Sequence, residues 1–252
     1  MAVALNACYV PPHGASAALY IRPIIFGTSA TLSMASPDRY TFCVYVTPVG
    51  VAYGVGSLRA LILEDYDRVA PQGTGPAKVG GNYSPLVRHI EKAKESDHGI
   101  LLHLDSKTRT EIDEFSMSGF VGIKMDEDSG YNVVVPFPKR VIESVTSDSV
   151  CEIAKDLGWK TERRTVRYEE LPSYSEVLAV GTAGTLVPIK SITRMSTDDV
   201  FSFNGGSDEP GPCCAKLSSI LKGIQQGKME DRFGWCRRVT EVKRDLITAG
   251  VV

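Results

Sequence analysis

The sequence predicts a mixed α/β or α+β protein, and three observations carry that reading. Segments with strand character outnumber those with helical spacing, and the two kinds do not alternate strictly. No Gly-x-Gly-x-x-Gly opens a helix after a strand, and no Walker-type Gly-Lys-Ser/Thr occurs, which argues against a doubly wound nucleotide fold.

Leu19–Gly27 and Tyr40–Val46 are rich in β-branched and aromatic residues and read as strands, and Ala60–Leu63 is a third short apolar run. A long loop follows over Asp65–Gly81, containing Pro71, Pro76, Gly73, Gly75, Gly80 and Gly81. Loops of this length inside a compact domain are usually functional. Ser84–Ser96 then has helical spacing, with Leu86, Val87, Ile90 and Ala93 on one side. Gly99–Leu104, Thr110–Ile112, Phe120–Met125 and Tyr131–Val135 read as strands, with turns at Asp105-Ser106-Lys107 and Asp126–Gly130. A helix capped by Thr146 carries the apolar stripe Val150, Ile153, Ala154, Leu157 and stops at Gly158. Strands follow at Lys160–Val166, Glu176–Val180 and Leu186–Ile192. Thr197–Gly211, rich in Asp, Gly and Ser, reads as an exposed loop, and Pro212–Gln225 as a last helix with Leu217, Ile220, Leu221 and Ile224 inward.

The 252 residues are 43% hydrophobic and 23% charged, the balance of an ordinary globular chain. A net charge of -2 leaves no electrostatic footprint for nucleic acid or an anionic membrane. The longest apolar runs, such as Tyr40–Val51, are too short to span a bilayer. Met1–Val10 lacks the basic start and cleavage site of a secretory leader. The expected compartment is the cytoplasm, with an organelle such as the mitochondrion left open. The six cysteines show no Cys-x-x-Cys spacing and read as reduced thiols, mostly small buried hydrophobes. The four histidines are dispersed, so no metal site is expected.

One residue stands apart on its surroundings. Lys78 follows Gly73-Thr74-Gly75-Pro76 and precedes Gly80-Gly81, so backbone without side chains surrounds it and a flat ligand can approach closely. An amine nucleophile needs such access, together with burial or a cationic neighbour to depress its pKa. Taken alone, the same residues also describe a plain glycine-rich turn.

Lys78-Val79-Gly80-Gly81-Asn82-Tyr83 resembles the Lys-x-Gly-Gly-Asn-Tyr signature of the branched-chain amino acid aminotransferases, which are class IV pyridoxal-phosphate-dependent enzymes. Four further stretches follow in the family's order: Tyr20-Ile21-Arg22-Pro23, Glu114-Phe115-Ser116, Val145-Thr146 and Gly181-Thr182-Ala183. Asp231-Arg232-Phe233-Gly234-Trp235 is similar to its closing segment. The resemblance is to a fungal-type member. It implies the large domain of the fold type IV enzymes over residues 19–252, with 1–18 a remnant of the small domain or a linker. The family's N-terminal small domain is expected to be largely missing.

What the resemblance implies for the site is specific. Lys78 forms the internal aldimine with pyridoxal 5'-phosphate and shuttles the substrate proton. Tyr83 bonds the cofactor's phenolic oxygen, and Glu114 faces its pyridine nitrogen, with Glu111 and Asp113 as rivals for that place. Val145 and Thr146 at a helix start, where free amides and the positive dipole end favour anions, hold the phosphate with Thr182. Tyr20, Arg22, Thr182 and Ala183 meet the substrate, the arginine by its planar fork. The implied function is transamination between branched-chain L-amino acids and 2-oxoglutarate, in branched-chain amino-acid biosynthesis, by a homodimer. The chain departs from the pattern at Gly119, where the family has asparagine. It departs again at Glu143-Ser144 for Pro-Gly and at Ser147 for arginine. The redox Cys-x-x-Cys of some animal relatives is absent. Two other readings therefore stay open: another class IV aminotransferase or lyase of secondary metabolism, or a shortened member that binds cofactor or a partner without turnover.

Overall fold

The computed structural model describes residues 1–50, 56–70, 72–128, 130–137 and 141–239; Val51, Pro71 and Ser129 of the sequence reading lie outside them. The chain folds as two compact units, Met1–Ala52 with Ile224–Val252, and Tyr53–Gly223.

The first unit is built on an antiparallel ribbon of β1 (Ala18–Gly27) and β2 (Tyr40–Val49), preceded by a single turn of helix, α1 (Ala2–Leu5). The ribbon is longer than the predicted Tyr40–Val46 because Ala18 pairs with Val49 at its far end.

The second unit is a nine-stranded mixed sheet in the order β5-β4-β3-β10-β9-β6-β7-β8, with β11 paired to β10. Its strands are β3 (Leu58–Ile62), β4 (Ile100–Leu104), β5 (Ile112–Phe115), β6 (Gly119–Asp126), β7 (Gly130–Pro136), β8 (Lys160–Arg164), β9 (Glu176–Gly181), β10 (Thr185–Arg194) and β11 (Asp199–Ser202). Parallel pairings join β3 to β4 and β10, and β7 to β8; the others are antiparallel. The helices are α2 (Val87–Glu95), α3 (Val145–Asp156) and α4 (Pro212–Gln225). The strands at the sheet centre are near-continuous apolar runs because both faces are covered, and Leu101, Leu102, Val121 and Val180 have no exposed surface. Phe115, Phe120 and Tyr174 fill the middle, the first two stacked at 5.8 Å.

Four expectations change. The N-cap of α3 is Ser144, whose hydroxyl accepts from the Ser147 amide at 3.1 Å, so Thr146 sits inside the first turn. The hydroxyl two residues earlier wins because its backbone is extended there, as a cap requires. Thr197–Gly211 is not an open loop: β11 adds to the sheet and Phe203 is buried in the core. On α2, Val87 is exposed and His89 takes its place beside Leu86 and Ala93. Of the six cysteines, Cys151, Cys213 and Cys214 are buried, whereas Cys8, Cys43 and Cys236 are exposed.

Two glycines are needed where they stand. Gly158 takes φ +79° just past α3, which lets its amide and that of Trp159 return to Lys155 and Ala154. A Cβ on Gly211 would lie 2.3 Å from the Glu176 carboxyl carbon, and that carboxylate caps α4 through the amides of Cys213 (2.8 Å) and Cys214 (2.9 Å). Among the described residues, no helix is long and apolar enough to cross a membrane.

Candidate active site

Three pieces of the second unit meet around one cavity of about 730 Å³. The lysine loop contributes Pro76, β5 and the start of β6 contribute Asp113, Glu114 and Gly119, and the start of α3 contributes Ser144 and Ser147. A tight turn joins β5 to β6, because the Phe115 amide bonds the Ser118 carbonyl and sends the chain back at once. Gly119 then pairs with Val180 at the end of β9, so the Gly181-Thr182-Ala183 turn leaves the sheet beside it.

Asn82 shapes the lysine loop from within. Its buried amide donates to the carbonyls of Thr74 (2.7 Å) and Ala77 (2.9 Å), and its oxygen accepts from the Thr74 hydroxyl at 2.7 Å. These bonds replace the backbone ladder that an irregular segment lacks. The loop therefore presents Lys78 outward, with its Nζ donating to the Tyr83 hydroxyl at 2.8 Å and 4.8 Å from that ring's centre. A Cβ on Gly80 or Gly81 would meet nothing within 4 Å among the described residues.

Glu114 stands on the cavity wall, 5% exposed. Burial pushes its carboxyl up to about 7, opposed by Arg68, raised again by Asp113, and lowered by Lys78 and the Ile142 amide. Arg68 Nη2 lies 3.2 Å from its Oε1, yet the angle is poor and that oxygen accepts no hydrogen bond. Of the two rivals, Glu111 sits apart in an isolated bridge with Arg167, whereas Asp113 lines the same cavity.

At the α3 end, Val145 and Thr146 fill the first two helical positions, whose amides have no intrahelical acceptor. Ser147 is buried and its hydroxyl has no hydrogen-bond partner among the described residues. A Cβ on Gly119 would come within 3.0 Å of that hydroxyl. A side chain at 119 would therefore press on the Ser147 hydroxyl, so the two departures from the family pattern lie next to each other in the fold. Asp148 is held by Arg163, which also lines the cavity.

Thus Glu114 lines the cavity, whereas Val145 and Thr146, between the lining residues Ser144 and Ser147, and the bonded pair Lys78 and Tyr83 do not. Thr182 and Ala183 are exposed in the turn after β9. Tyr20 and Arg22 belong to the first unit, where alternate positions of β1 share a face and the guanidinium lies 4.9 Å over the Tyr20 ring. The sequence reading missed Arg68 altogether, since a lone arginine in a polar loop looks solvated. It quoted Asn82 without a role, although Asn before a helical turn is a known loop brace.

The family model for class IV aminotransferases matches residues 3–192. Aminotransferase poxL of Penicillium oxalicum is 51% identical over 241 residues, covering 96% of this chain and 66% of the relative. Aminotransferase atnJ of Emericella nidulans is also 51% identical, over 245 residues, covering 96% of this chain and 70% of the relative. The branched-chain amino acid aminotransferase of Escherichia coli superposes with a TM-score of 0.69 at 25% identity, covering 86% of this chain and 68% of that structure. The second unit thus has the fold of the type IV pyridoxal-phosphate enzymes, and the family depends on that cofactor. By the match over most of its length, this chain belongs to the class IV aminotransferases.

Proposed function

We propose that the chain transfers an amino group between a branched-chain (aliphatic) L-amino acid and 2-oxoglutarate, with pyridoxal phosphate held on Lys78. One observation supports this most: a single cavity has a buried carboxylate oxygen without a hydrogen bond on one wall and a helix start, at Ser144 and Ser147, on another. The first suits a protonated ring nitrogen and the second a phosphate, so the residues present fit the cofactor.

When bound, the cofactor supplies a ring that draws negative charge away from the substrate Cα. The chain's own groups do the rest. Lys78 provides the amine that carries the cofactor and moves the proton at Cα. Tyr83 holds that amine at 2.8 Å and offers its hydroxyl to the phenolic oxygen. Glu114, whose Oε1 is ion-paired with Arg68 but accepts no hydrogen bond, would accept from the pyridine nitrogen, and a positive nitrogen there would lower its pKa in return. Val145, Thr146 and Thr182 bind phosphate oxygens. Thr182 and Ala183 orient a substrate carboxylate, and Tyr20 and Arg22 are assigned to substrate recognition on their sequence motif alone. Residues 19–252 carry this machinery, 1–18 are a remnant of the small domain or a linker, and the working form is a cytoplasmic homodimer.

Mixing the purified chain with pyridoxal phosphate, reducing with borohydride and digesting should place the label on Lys78, and Lys78→Ala should remove it. A label unchanged in that variant sinks the site. Oxo-acid release from leucine, valine, phenylalanine and tyrosine then reads specificity. A second reading rests on identity: 51% to relatives named only as aminotransferases, against 25% to a branched-chain enzyme. It assigns the chain another amino donor, and turnover of an aromatic but no aliphatic substrate would select it.

A further inference from the structure

Arg68 is the one lysine or arginine buried among the described residues. Taking a guanidinium out of water costs several kcal/mol unless its donors are well matched. Here they are not. Nη1 donates to the Gly75 carbonyl at a long 3.4 Å, Nη2 faces Glu114 Oε1 at 3.2 Å out of line, and Nε has no hydrogen bond. Its plane lies 5.0 Å from the centre of the Tyr83 ring, whose hydroxyl receives Lys78. The hydrogen bonds this cation makes do not account for its burial. Yet it touches both ends of the site, the carboxylate on β5 and the loop that carries the lysine.

We infer that Arg68 is a positioning residue: it favours the ionised form of Glu114 against the burial that opposes it, and ties the lysine loop to that carboxylate. This rests on the cofactor reading of Lys78 and Glu114 given above. Without the guanidinium, Glu114 would hold its proton to still higher pH and would be a weaker partner for a protonated pyridine nitrogen. The loop would also lose its grip on Gly75 and Tyr83.

The groups facing this pair are few. Glu114 sees Arg68 and Lys78 from the loop, Asp113 from its own strand, and the amide of Ile142. On the neighbouring strand His103 bonds Ser116 at 2.8 Å, and burial first, then Arg68, holds it down to about 3. His103 is therefore neutral over the working range, and Glu114 is the group whose charge Arg68 governs.

The test measures unfolding free energy of the cofactor-free chain from about pH 5 to about pH 9, each background differenced against its Glu114→Gln version. That difference isolates the Glu114 titration. Arg68→Met should raise its midpoint by about one unit or more, and Arg68→Lys should leave it near wild type. In parallel, pyridoxal phosphate binding to Lys78 is read by borohydride trapping. Arg68→Met should weaken it about tenfold, and Arg68→Lys severalfold, since an ammonium cannot span the carboxylate, carbonyl and ring together. A merely structural arginine would lower stability equally at every pH and leave the midpoint in place. An unmoved midpoint with unchanged trapping overturns the inference. If Arg68→Met does not fold, wild-type trapping in Arg68→Lys overturns it alone. Failure of trapping in the wild type refutes the cofactor reading instead, and the midpoint arm still decides what Arg68 does to Glu114.

Discussion

Glu114 carries a pKa of about 7 in the folded chain against 4.5 for an ordinary glutamate, because burial outweighs the guanidinium beside it. The folded state therefore binds this proton more tightly than the unfolded state. Its contribution to stability is complete below the ordinary value and is lost as pH rises through about 7. The cofactor-free chain should lose up to about 3 kcal/mol over that window, and Glu114→Gln should flatten the slope in urea titrations at successive pH values. A slope that survives the substitution would assign the titration to another group. Asn82 acts on the same site by geometry and not by charge. Asn82→Ala removes three hydrogen bonds around the lysine, at about 2–3 kcal/mol in all. Limited proteolysis should then cut within the loop far faster than in the wild type. Lys78 was legible because its glycines and its sequence motif are local. Arg68 was not, because nothing near it in the sequence says that Glu114, on a strand formed much later, will lie against it.

Among the elements, α4 shows how a buried charge is settled. Glu176 on β9 caps the helix through two amides, and Gly211 leaves room for it. Glu176→Ala strands both amides and should cost about 3 kcal/mol, read as a lowered urea midpoint. A change below about 1 kcal/mol would show that water replaces the carboxylate. The bounds of α4 follow from Pro212 and a 3.6-residue stripe, both visible in the sequence, whereas its cap comes from a strand far away. The same contrast holds at α3. Several residues near its start bear cap-capable side chains, and only the extended backbone of Ser144 settles which one caps. β11 escaped the sequence reading because Asp199–Ser202 is only four residues long inside an Asp-, Gly- and Ser-rich stretch, and its pairing with β10 supplies the strand character.

For the whole molecule, the ribbon of the first unit presents large apolar side chains to solvent. Ile25 and Phe42, paired across β1 and β2, are each 66% exposed. Apolar surface of this kind usually marks an interaction face, which supports the homodimer proposed for the working form. Sedimentation equilibrium of the full chain should return twice the monomer mass, and Phe42→Lys should shift it toward monomer. A monomer at every concentration in the wild type would remove that part of the proposal. The second unit needs no such partner for its core, since its central strands are covered on both faces by the same chain.

The sequence by itself determined the mixed α/β class, nearly every strand and helix, and the lysine loop with its ordered companions. Each of these depends on neighbours within a few residues, through periodicity, turn chemistry or a contiguous motif. The tertiary structure decided the rest: that Asp113 and Glu114 line the cavity while Glu111 does not, that Gly119 and Ser147 are neighbours, and that Arg68 is drawn inside between Glu114 and the lysine loop. Burial and ion pairing are properties of residues distant in the chain, and only folding brings those residues within reach of one another.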